Sequence, residues 1–112
     1  MTMSVKEADT IDAMGVDKST NTLVLLITDP YQWVIDEYNH LKAFQKKINN
    51  YVAFIENGGY RSEYGDQTFS GFRIEAEFKY RPTKIGQSFL DNGKKPLAER
   101  NIEFVWSVAK KG

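Results

Sequence analysis

The sequence contains no cysteine, which excludes disulfides, zinc–thiolate sites and thiol nucleophiles. It has one histidine, so His-rich metal sites are excluded as well. Long apolar runs are missing: the longest, Leu23 to Ile27, falls far short of the ~20 residues that cross a bilayer. Net charge is missing too. Fifteen Lys+Arg offset fifteen Asp+Glu, which leaves no overall positive field for nucleic acid. The opening residues, MTMSVKEADT, carry acids and lack the apolar stretch of a signal peptide. A cysteine-free chain without a leader is expected in the cytoplasm, away from membranes. Catalytic signatures are absent as well. Ser70-Gly71 is not a Gly-x-Ser-x-Gly elbow, and Gly58-Gly59 is not followed by the Gly-Lys-Ser/Thr of a phosphate loop.

What is present suits one small folded unit. Hydrophobic residues make up 41% and aromatic residues 13%, enough for one modest core in 112 residues. The balanced charge hides a split. Residues 1–40 carry seven acids and two bases, whereas residues 41–112 carry eight acids and thirteen bases. The acidic first third can face a basic partner, or it can fold against the basic remainder.

Hydropathy periodicity gives the elements. Thr10 to Asp17 and Thr22 to Thr28 are strand-like on either side of a polar four-residue turn, which predicts a hairpin. After Asp29-Pro30, a helix is expected from about Trp33 to Asn57. Leu41, Phe44, Ile48, Tyr51, Val52 and Ile55 form its buried stripe, with Lys42, Lys46 and Lys47 on the water side. Gly58-Gly59 ends it. Tyr60 to Ser70 reads as an irregular loop. From Gly71 to Tyr80, Phe72, Ile74, Ala76, Phe78 and Tyr80 alternate with Arg73, Glu75, Glu77 and Lys79, the mark of a half-buried strand. Thr83 is placed to cap a second helix, about Lys84 to Arg100, which Asn92-Gly93 and Pro96 should kink or split. Ile102 to Val108 is the last strand.

The expected fold class is therefore α+β. It is a two-layer sandwich of order β-β-α-β-α-β, with a four-stranded mixed sheet and two helices on one face. The last two strands should be parallel, joined by a right-handed crossover. Residues 10–108 form the single domain, 1–9 a flexible N-terminus and 109–112 a C-terminal tail.

Three groups of residues can carry function. Asp36 and His40 lie four apart and share a helix face beside Glu37, which would allow a carboxylate to orient an imidazole. Glu75 and Glu77 project from one strand face about 7 Å apart, with Glu103 nearby if the last strands pair. On a flat exposed face nothing tunes such carboxylates for acid–base work, so they form a solvated surface or a contact for a basic partner. Tyr60 and Tyr64 lie outside the core pattern and suit interface anchors or local packing. No catalytic residue, metal site or cofactor is expected.

The string Thr10-Ile11-Asp12-Ala13-Met14-Gly15-Val16-Asp17, with the following Leu-Val-Leu-Leu-Ile-Thr-Asp strand, resembles a small bacterial family of uncharacterised α/β domains. The helix segment Asn50 to Gly58 and the Phe78-Lys79-Tyr80 strand end with Pro82, Gly86 and Phe89 resemble the same family. The family implies no enzymatic activity. Small acidic-faced proteins of this kind are similar to immunity proteins of bacterial toxin systems, including contact-dependent growth inhibition. That similarity implies a non-enzymatic inhibitor that masks a cognate toxin, a basic nuclease, and binds neither nucleic acid nor membrane. Its contact residues would be Asp29, Asp36, Glu37, Tyr60, Tyr64, Glu75, Glu77 and Glu103. Two alternatives stand beside it. One is a ligand-binding or enzymatic domain using Asp36, His40 and the 60–70 loop. The other is a self-associating domain joined through Val24, Leu26 and Val105. The oligomeric state is open at this level.

Overall fold

β1 (Ala13–Asp17) and β2 (Thr22–Asp29) form the expected hairpin, paired from Ala13↔Leu26 to Asp17↔Thr22. The computed structural model describes residues 10–109; the segment 1–9 and residues 110–112 of the expected tail lie outside the described residues. Asp17 shapes the turn, its Oδ1 accepting from the Ser19 N–H at 3.1 Å and the Ser19 hydroxyl at 2.7 Å. Asn21 closes the turn with a left-handed φ of 54°, which asparagine tolerates.

β3 (Gly71–Phe78) pairs parallel with β2, and β4 (Ile102–Val108) pairs parallel with β3. The sheet order is β1-β2-β3-β4, a four-stranded mixed sheet as the element order implied. The inward rows are Leu23, Leu25 and Ile27, then Ile74, Ala76 and Phe78, then Ile102 and Phe104. They share one cluster with Phe44, Ile48, Tyr51 and Ile55 of helix α1 (Glu37–Glu56) and with Leu90 and Leu97 beyond β3. Helices therefore cover one face of the sheet, and Val24, Leu26, Arg73, Glu75 and Val105 occupy the other.

α1 starts at Glu37, four residues later than the periodicity suggested. Asp29 Oδ1 accepts from the Tyr31 N–H at 3.1 Å and bends the chain past Pro30. The bend turns Trp33 into the core, where it is 1% exposed, and a helix cannot begin until the chain has returned to the surface. α1 ends in a Schellman cap. Gly58 adopts φ 72°, its N–H reaches the Ile55 carbonyl, and the Gly59 N–H reaches the Phe54 carbonyl. Within the 60–70 loop the structure contains one helical turn, α2 (Arg61–Tyr64). The second predicted helix is split into α3 (Lys84–Asn92) and α4 (Lys94–Ala98), divided at Gly93. Thr83 caps α3 as expected, accepting from the Gly86 N–H at 3.1 Å. Pro96 falls in the first turn of α4, where its missing N–H costs nothing.

Lys47 departs from its expected place. It is fully buried. Position 47 lies three residues after Phe44 and four before Tyr51, so the helical period turns it inward despite its charge. Its ammonium donates to the Thr10 carbonyl at 2.7 Å and to Asp12 Oδ1 at 2.9 Å. Asp12 Oδ2 accepts from the Thr28 N–H at 2.9 Å. The Tyr51 hydroxyl accepts from the Asp12 N–H at 2.9 Å and donates to the Leu26 carbonyl. The lead-in to β1 is thus fastened to β2 and α1 by a closed polar network. Burial pushes the Tyr51 hydroxyl well above its ordinary range, so it stays a donor.

Two outcomes follow from this network. Asp12→Ala strands the Lys47 ammonium and should cost about 3 kcal/mol or more, while adding Lys47→Met should recover part of that loss; urea unfolding of both variants measures it. Tyr51 favours the protonated folded state, so its contribution is complete below about pH 10, where unfolded tyrosine ionises, and declines above it. The stability gap between the native chain and Tyr51→Phe should therefore narrow as pH rises past 10, and an unchanged gap would remove this role for burial.

Candidate functional site

Functional side chains gather in two places, separated by the sheet itself. The first is the end of β2, where the chain leaves the sheet and returns as α1. Here His40 Nε2 meets Asp29 Oδ2 at 2.5 Å, and both side chains are buried. Trp33 stacks on the imidazole with centroids 3.9 Å apart and planes 14° from parallel. Trp33 also lies so close to Gly86 that a Cβ there would come within 2.8 Å of the ring. Only glycine allows α3 to approach this closely. Glu37 ties the start of α1 to the cap of α3 by accepting from the Thr83 hydroxyl.

This arrangement corrects several expectations. Asp29 is 2% exposed and is not available to a partner; its imidazole partner lies eleven residues away, beyond any local pattern. The carboxylate that meets His40 is Asp29, not Asp36. Asp36 instead accepts from the Asn39 side chain at 2.9 Å in the open. The 60–70 loop is not part of this site. Tyr60 and Tyr64, both half-buried, pack on Phe69, and Tyr60 also meets Phe72, at the start of β3. Because β2 and β3 run parallel, the start of β3 and the end of β2 lie at opposite ends of the strands. The hollow that His40 lines, together with Tyr31, Gln32, Ile35, Asp36, Asn39 and Ala43, measures about 220 Å³. That is below the ~300 Å³ at which ligand pockets begin. The His40 and Asp29 pair therefore reads as an anchor for α1 rather than an acid–base couple.

The second place is the sheet face that no helix covers. The register builds it in rows. Gly15, Val24, Arg73 and Glu103 form one; Ala13, Leu26, Glu75 and Val105 form the next; Thr28, Glu77 and Ser107 form the third. Arg73 is the centre of the charge pattern. Its guanidinium donates to Glu103 Oε1 at 2.9 Å and to Asp17 Oδ2 and Glu75 Oε2 at 3.1 Å each. These three carboxylates, Glu103 foremost, hold the Arg73 proton more tightly than usual. Asp17 is held below the ordinary carboxylate range, first by the Ser19 hydroxyl and then by Arg73. Glu77 makes no ion pair among the described residues and projects into water.

Glu75, Glu77 and Glu103 are thus brought together, as the strand alternation implied. Asp36 and Glu37 are not with them, because α1 lies on the opposite layer. Asp17 belongs to the cluster and was not singled out from the sequence. Its signal is the hairpin register, which sets the end of β1 within reach of Arg73 across β2. Among the described residues no group of three or more His, Cys, Asp or Glu is placed to hold a metal ion. No helix among them is long and apolar enough to cross a membrane.

Comparison with known proteins matches residues 3–110 to one family model, described as a family of unknown function (DUF6572). No curated protein and no solved structure matches the chain. The match covers nearly the whole sequence, and the chain belongs to this family of unknown function.

Proposed function

We propose that the chain is a non-catalytic binding protein that neutralises a basic protein toxin, a nuclease, in the cytoplasm of the cell that makes both. One observation carries this reading: the outer sheet face is uncovered and sets Asp17, Glu75 and Glu103 around a single guanidinium, with Glu77 free beside them, Val24 and Leu26 on one side and Val105 on the other. Mixed apolar and charged area is the composition of a non-obligate protein contact. The surplus of carboxylates would steer a cationic partner and set its register. A rigid sheet face needs no reordering on binding, which keeps the cost of association low. Arg73 is tied on three sides, so its own charge is compensated and the face presents acid. Tyr60 and Tyr64 pack against the core with Phe69 and the inward-facing Phe72, and take no part in this contact.

The test uses the genes beside this one. Each basic protein they encode is expressed alone and together with the chain. One of them should be toxic alone and tolerated in company, and should form a one-to-one complex whose association slows steeply with salt. Glu75→Lys with Glu77→Lys should slow association by about tenfold or more, while Asp36→Lys with Glu37→Gln on the opposite layer should change it little. Protection that survives reversal of the sheet face would defeat the proposal, as would the absence of any toxic neighbour.

A further inference from the structure

β4 lies at the edge of the sheet, and its outer backbone groups have no partner among the described residues. The Ala109 N–H donates to the Phe78 carbonyl, which points Ala109 towards β3. The register from Phe72↔Ile102 to Phe78↔Val108 runs without a bulge. Strand alternation then turns Glu103, Val105 and Ser107 towards β3 with their backbone groups, and turns those of Ile102, Phe104, Trp106 and Val108 outward. Natural edges are blunted by proline, lysine, bulges or shortness. β4 has no proline, lysine or bulge, and its one charge, Glu103, is held by Arg73: it is seven residues long and reads Ile-Glu-Phe-Val-Trp-Ser-Val. The opposite edge, β1, is five residues long and contains Gly15 and Asp17.

We propose that two copies of the chain pair β4 against β4, antiparallel and centred on Val105, to make one continuous sheet. The inference is independent of the toxin reading. Self-pairing in this register places each residue of β4 opposite a suitable mate. Val105 faces the second copy's Val105. Phe104 faces its Trp106, and their outward N–H and carbonyl groups exchange hydrogen bonds. Ile102 faces Val108. Glu103 faces Ser107, so no two carboxylates oppose each other. Aromatic and β-branched cross-strand pairs are the favoured ones, and like charges directly opposite are the unfavourable ones. The parity also fits: an antiparallel pair centred on an inward-bonded residue puts its outward-bonded neighbours in hydrogen-bonded positions. Trp106 is half-exposed although its neighbours on the same row, Phe104 and Ile102, are buried, as a residue is at an edge still to be covered.

Sedimentation velocity of the full chain, from micromolar to millimolar, reads the equilibrium, and amide exchange reads the edge. A monomer–dimer equilibrium is expected, with the Phe104 and Trp106 amides protected as concentration rises. Ser107→Lys sets an ammonium opposite Glu103 twice by symmetry and should tighten the dimer about fivefold. Ser107→Glu should weaken it by a similar factor. Val105→Lys, on the open face, opposes two ammonium groups at the centre and should leave a folded monomer by circular dichroism. A monomer at every concentration would overturn the proposal. A dimer indifferent to the charge at Ser107 would do so as well. Amides of Phe104 and Trp106 protected in a monomer would mean that the chain covers its own edge, and would also overturn it.

Discussion

Parallel strands cannot be joined by a tight turn, and that constraint shapes this protein. β2, β3 and β4 run parallel in consecutive order, so each junction needs a crossover. Crossovers of one hand that step in one direction along a sheet fall on one face. α1 fills the first, and α3 with α4 fills the second. One face is therefore fully covered, and the other has no element left to cover it. The open acidic face is a consequence of strand order before it is a consequence of any side chain.

Two buried polar anchors hold this one-sided arrangement, one near each flank of α1. Lys47 and Tyr51 fasten the β1 lead-in through Asp12, and His40 fastens the end of β2 through Asp29. Each buries a potential charge and matches it with an opposite partner, the condition under which such burial is tolerated, and at the second the buried His40 Nδ1 has no hydrogen-bond partner among the described residues. They fix how α1 lies along the sheet, which apolar contact alone leaves loosely determined. The outer face works by opposite rules. Its ion pairs are partly in water and individually weak. Their value lies in arranging charge around Arg73 rather than in holding the fold.

The element order, the parallel last pair and the carboxylate row on β3 were legible in the sequence because each rests on a short periodic pattern. The alternation of Phe72, Ile74, Ala76 and Phe78 with Arg73, Glu75 and Glu77 is local, and so is the capping role of Thr83. What escaped depends on partners distant in sequence. Lys47 looks like a water-side residue until Asp12, thirty-five residues earlier, is brought to it. Asp29 looks exposed until His40 returns over it, and Asp36, at helical spacing from His40, is the more obvious mate. Trp33 fits a helix start by composition, but the Asp29 and Tyr31 turn draws it inward first. Asp17 joins Arg73 only once the β1–β2 and β2–β3 registers are both known.

The position of β4 has a consequence for synthesis. It is made thirty residues after β3, pairs with it, and completes the cover of Phe72 to Phe78. Until then β3 is itself the margin of a three-stranded sheet, with Ile74 and Phe78 lacking their final neighbours. The hairpin and α1 can form from contacts close in sequence, but closure of the sheet awaits β4. The nascent chain thus exposes the margin of β3 until β4 has emerged, and rapid docking of that seven-residue strand decides whether β3 finds its own partner or another chain's.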